Sequence, residues 1–161
     1  MMKRLLLVAM LMGTLLLSAC GGADDQAETP TNDFENSAPN ASAGTENVGE
    51  QVSVADGSYT RVSPNELRVM LEDKNFPLVN THIPFEGDIP GTDLSIPYNE
   101  IDQNLGLLPT DKGARIVLYC RTGRMSTEAA GTLVRLGYTN VWELAGGMIA
   151  WEDSGLPLEG A

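Results

Sequence analysis

Positive charge is scarce in this chain. Ten Lys and Arg stand against 22 Asp and Glu over 161 residues, a formal charge of −12. Nucleic-acid binding rests on a basic excess that neutralises phosphates, so that role is excluded. Cysteine is scarcer: two residues cannot build the disulfide framework of a small secreted scaffold. A single histidine beside them cannot complete an ordinary His/Cys zinc site, so no metal is expected. Long apolar runs are missing too. The longest, residues 5–17, has 13 residues, short of the roughly 20 that span a bilayer as a helix.

What is present divides by charge into three regions, carrying +2 over residues 1–20, −8 over 21–56 and −6 over 57–161. In the first, Lys3 and Arg4 precede the apolar run, the order of a signal peptide's n- and h-regions. The run ends in Leu17-Ser18-Ala19-Cys20-Gly21, which resembles the lipobox of bacterial lipoproteins. That resemblance implies removal of residues 1–19, lipidation of Cys20 and a membrane partner through its acyl chains, two or more of which anchor stably. Export and anchoring to the cell envelope, at the periplasmic face or outer leaflet, follow. Gly21 stands where Asp would signal retention at the inner membrane of some two-membrane bacteria. An ordinary signal peptide cut nearby, or an uncleaved anchor with an idle Cys20, are the alternatives.

Residues 21–56 are Ala, Gly, Asn, Ser, Thr, Pro, Asp and Glu with few large apolar residues and no Lys or Arg. Such a segment buries too little to offset its ordering entropy. With Cys20 it reads as a disordered acidic tether over 20–56, of r.m.s. reach about 30–36 Å, leaving 57–161 as one domain.

Within that domain Ser63-Pro64-Asn65-Glu66 places a cap, a first-turn proline and a capping-box acid ahead of a short helix ending near Lys74, with Leu67, Met70 and Leu71 inward. Residues 77–81 read as a buried strand and 83–92, with two Pro and two Gly, as a loop. A strand near 94–96 and a weak helical stretch near 98–105 follow. The continuous apolar run 115–119 is a strand of the kind buried on both faces. Residues 126–136 form a helix with Ala129, Ala130, Leu133 and Leu136 on one side and Gly137 at its C-terminal cap. A strand over 139–143 and a short helix over 148–153 close the chain. This alternation predicts an α/β sandwich around a mostly parallel sheet.

Once Cys20 is lipidated, Cys120 is the one free thiol, and it ends the buried strand immediately before a helix, where ligand sites of parallel sheets gather. The positive end of that helix, Arg121, Arg124 and the backbone N–H groups of a Gly-containing turn favour a thiolate and attract a small anion. A buried structural Cys beside two solvated arginines is the alternative. Trp142 and Trp151 read as packing at the core rim, and the lone His82 as a surface or strand-end residue rather than a ligand.

The segment Tyr119-Cys120-Arg121-Thr122-Gly123-Arg124-Met125-Ser126 resembles the active-site loop of the rhodanese family, in which a Cys opens a six-residue loop around a persulfide sulfur. Three further segments resemble that family in order: Leu78-Val79-Asn80-Thr81-His82, Gly87-Asp88-Ile89-Pro90-Gly91-Thr92, and Leu144-Ala145-Gly146-Gly147-Met148-Ile149-Ala150-Trp151. The resemblance covers about residues 58–158. It implies a three-layer sandwich with helices on both faces of the sheet. It also implies an enzyme, a sulfurtransferase with Cys120 catalytic and Arg121, Thr122, Gly123, Arg124, Met125 and Ser126 lining the substrate. A thiosulfate-like anion is the implied donor and a thiol or cyanide the acceptor, with no cofactor. This sequence departs from the family at Asn80 and His82, usually Asp and Arg, at Asp88, usually His, and at Met125, more often Ser, Thr or Arg.

A phosphatase on a related loop requires Cys, five residues, then Arg, and that position holds Ser126. A thioredoxin-like oxidoreductase requires a second Cys three positions on, where Gly123 stands. The rival from another class is a non-catalytic tethered module that binds a protein or small anion through the same loop.

Overall fold

A Val–Ser–Val alternation before a tight turn is enough to start the sheet. In the computed structural model, which describes residues 48–160, strand β1 (Glu50–Val54) pairs antiparallel with β2 (Gly57–Val62) in the register Val52 opposite Tyr59. The tether expected over 20–56 is therefore corrected at its end: residues 50–54 are a strand. The reason is local, since Val52 and Val54 share one face of the strand and pack against the core. The expected leader, Cys20 and the tether over 21–47 lie outside the described residues.

Ser63 caps α1 (Pro64–Glu72) with the capping box read from the sequence: its Oγ accepts from the Glu66 N–H at 3.3 Å, and its own N–H donates to Glu66 Oε2 at 2.7 Å. The other Glu66 oxygen accepts from the Gly49 N–H at 2.9 Å, which ties the start of β1 to the helix. The bonds from Ser63 and then Gly49 hold the Glu66 carboxyl below the usual carboxylate range.

The remaining strands are β3 (Leu78–Asn80), β4 (Leu94–Ser95), β5 (Ile116–Tyr119) and β6 (Val141–Leu144). The sheet order is β1-β2-β6-β5-β3-β4, and every pairing after the first hairpin is parallel. Central β5 explains the layers. Its Ile116 and Leu118 face a cluster built with Ala129, Ala130 and Leu133 of α2 (Arg124–Arg135), while Val117 and Tyr119 face Leu67 of α1 and Met148 and Trp151 of α3 (Gly147–Asp153). A strand with helices against both faces must be apolar throughout, as this one is. The weak helical stretch is two short 3-10 segments, Tyr98–Gln103 and Leu105–Leu107. Trp151 is buried and donates to the Pro157 carbonyl, whereas Trp142 is half-buried under the Arg115 guanidinium, 4.5 Å from its ring centroid.

Candidate active site

Cys120 leaves the C-terminal end of β5 and turns at once into α2, which starts two residues earlier than its apolar face alone indicates. The turn closes at Gly123, whose φ of +93° favours glycine and whose N–H points back to Cys120 Sγ at 3.1 Å. Ser126 Oγ lies 3.5 Å from the same sulfur. The thiol is 1% exposed, so its polar neighbours are these fixed groups rather than bulk water.

The loop is clamped from behind by α3. The Met148 and Ile149 N–H groups donate to the Cys120 and Arg121 carbonyls at 2.9 and 3.0 Å. That approach explains Gly147, because a Cβ there would fall 2.2 Å from the Cys120 oxygen. The Gly-Gly pair is thus the backbone contact that lets one helix terminus carry the loop of another.

The structure brings the predicted loop residues together, but not the free positive field expected from two of them. Arg121 Nη1 pairs with Glu86 at 2.5 Å, and Arg124 Nη1 pairs with Glu128 one helical turn along at 2.7 Å. Each guanidinium therefore carries its own carboxylate at the surface. Thr122 is exposed, Met125 half-buried and Ser126 fully buried.

Two charged residues that the sequence did not single out complete the site. Glu143 of β6 is 1% exposed, with Oε1 accepting from Ser126 Oγ at 2.9 Å and Oε2 accepting from Arg61 Nε at 2.9 Å. Burial pushes its carboxyl above the usual range, against the opposing pull of Arg61 and Ser126. The bond to Glu143 in turn raises the Arg61 guanidinium, which also donates to the Tyr59 hydroxyl at 2.9 Å. Arg61, Glu143 and Gly123 line an open groove of about 410 Å³ together with Thr122, Arg124 and Thr127. The available signal was one acid inside the apolar strand Val141-Trp142-Glu143-Leu144.

Asn80 and Asp88, two of the positions at which the sequence departs from the family it resembles, form a matched pair. Asn80 Nδ2 donates to Asp88 Oδ1 at 2.9 Å and to the Gly87 carbonyl at 3.0 Å, and its Oδ1 accepts from the His82 N–H at 2.9 Å. Asp88 Oδ1 also accepts from the Tyr119 hydroxyl at 2.9 Å. Burial pushes that phenol well up, so it serves as a neutral donor fixing the turn beside the end of β5. His82 stands at the end of β3, yet it is buried rather than a surface residue; Nε2 is 3.6 Å from the Glu86 oxygen not held by Arg121. Among the described residues, no group of three or more His, Cys, Asp or Glu comes together as a metal site.

A family model described as the rhodanese-like domain matches residues 63–154. A sulfurtransferase of Allochromatium vinosum is 38% identical over 84 residues, which are 50% of this chain and 76% of that one. Thiosulfate sulfurtransferase PspE of Escherichia coli K12 is 36% identical over 55 residues, 34% of this chain and 52% of that protein. Among solved structures, a rhodanese-like domain protein of Staphylococcus aureus superposes with a TM-score of 0.51 at 28% identity, covering 62% of this chain and 98% of its own.

Proposed function

The chain belongs to the rhodanese-like domain family, and on that premise we propose that it is a sulfurtransferase in which Cys120 carries a sulfane sulfur as a persulfide. The observation that carries this reading is the Cys120 sulfur set at the mouth of a parallel sheet, facing the Gly123 N–H at 3.1 Å and the Ser126 hydroxyl at 3.5 Å. Fixed donors at a buried sulfur stabilise an anion there without reorganising solvent.

The reaction takes two steps. Cys120 thiolate attacks the outer sulfur of thiosulfate, a new S–S bond forms, the old one breaks, and sulfite leaves with the electron pair. A thiolate or cyanide then attacks the outer persulfide sulfur and returns the electron pair to Cys120. In the same proposal Cys20 is lipidated and the tether holds the domain near a cell-envelope membrane.

A second reading, a non-catalytic module binding a protein or small anion, draws support from the pairing of both loop arginines with carboxylates. Turnover separates the two. With thiosulfate as donor and cyanide as acceptor, Cys120→Ser is expected to abolish thiocyanate formation while leaving the far-UV dichroism unchanged. Undiminished turnover in that variant would remove Cys120 from the reaction, and no turnover in either protein with any donor would favour the module.

A further inference from the structure

The Cys120 sulfur, the Ser126 hydroxyl and the Glu143 carboxylate lie in a chain of contacts, 3.5 Å and then 2.9 Å apart, sealed from solvent at 1%, 0% and 1% exposure. We infer that Glu143 takes up the proton that Cys120 loses on becoming a thiolate, receiving it through Ser126.

A serine hydroxyl has one hydrogen and two lone pairs. With Glu143 ionised, the Ser126 hydroxyl donates that hydrogen to Oε1 and a lone pair faces the Cys120 S–H. Moving each hydrogen one place along leaves a protonated Glu143 donating to Ser126, and Ser126 donating to a thiolate that also accepts from the Gly123 N–H. One proton is exchanged between the two ends, no electron changes hands, and the pair keeps a single negative charge. The Gly123 carbonyl, 3.0 Å from Ser126 Oγ, is the one competing acceptor for that hydroxyl.

The surroundings suit the exchange. Burial makes Glu143 a stronger base than a surface carboxylate, and the ion pair with Arg61 from β2 opposes that rise in favour of the ionised form. The other groups around it are the Thr127 hydroxyl, 3.4 Å from Arg61 Nη2, and the Arg124 and Glu128 side chains of the same groove, which are paired with each other. Glu143 acts on Cys120 only through Ser126. Its relevance to turnover rests on the sulfurtransferase reading; the ionisation of Cys120 does not.

The test follows alkylation of Cys120 by iodoacetamide against pH in the full chain, read by mass on the peptide that contains Cys120. Two coupled groups release their protons in two macroscopic steps. The wild-type rate should therefore rise in a lower limb as the Cys120–Glu143 pair loses its first proton, and in an upper limb as it loses the second. Glu143→Gln and Ser126→Ala should each lose the lower limb, with alkylation between the limbs falling by about tenfold or more, the size of a one-unit change in ionisation. A single limb shared by all three proteins would overturn the inference. Retention of the lower limb by Ser126→Ala alone would overturn the route through Ser126. Loss of the limb in a protein that transfers no sulfur would uphold the relay and sink the sulfurtransferase reading instead.

Discussion

An amide at 80 and a carboxylate at 88 meet through one hydrogen bond of 2.9 Å, the amide buried and the carboxylate half-buried, and the two departures from the family make sense only together. Asn80→Asp would set a second carboxylate against Asp88 with no N–H between them, and one of the two would be forced to hold a proton. That variant should lose about 2–3 kcal/mol of stability. The loss should deepen as pH rises through the carboxylate range, because protonation is what relieves the contact. Adding Asp88→His restores an acid–imidazole pair and should recover most of it. Urea unfolding of the two single variants and the double variant measures the coupling; additive effects would mean that the pair is independent despite its contact.

At the scale of elements, the β1–β2 hairpin is the part of the domain that composition concealed. Val52 and Val54 cover one edge of the α2-side core, and Gly49 bonds Glu66 of the α1 cap. A chain beginning at residue 57 leaves β2 as a bare edge and should be less stable by about 1–3 kcal/mol than one beginning at residue 48. Equal thermal midpoints for the two would show that the hairpin is dispensable.

Most of the other elements were legible because they have strong local signals, while the stretch that forms the two 3-10 segments has only a weak one. The capping box announces α1, the uninterrupted apolar run announces β5, and an apolar face with Gly137 behind it announces α2. The hairpin has only two alternating valines at the end of a polar acidic stretch, so averaging over that stretch erases it. The same contrast governs the site. Cys120 to Ser126 is one contiguous segment, readable at once. Arg61 and Glu143 are 82 positions apart and meet only because β2 and β6 pair in the register that sets them side by side. Nor does residue type disclose that Glu86 pairs with Arg121, since it reaches that residue across the fold, whereas the Arg124–Glu128 pair has the i,i+4 spacing of a helix and was open to reading.

For the whole molecule, the charge balance decides how an anionic donor arrives. Residues 57–161 carry −6, and the two loop arginines offer no unpaired positive charge to offset it. A dianion such as thiosulfate should then be repelled at long range, and added inert salt should help it. Between about 10 and about 150 mM salt the screening length falls from about 30 to about 8 Å, and kcat/KM for thiosulfate should rise roughly twofold or more. A neutral persulfide donor should show little change. A fall in kcat/KM with salt would mean that the arginines leave their carboxylates and steer the anion after all.

Intact mass reports most directly whether Cys120 carries sulfur. The full chain is incubated with thiosulfate and weighed before and after dithiothreitol. The expected result is a gain of one sulfur that dithiothreitol removes and that Cys120→Ser never shows. No gain with thiosulfate, polysulfide or a small persulfide, in a protein whose Cys120 is a free thiol, would contradict it.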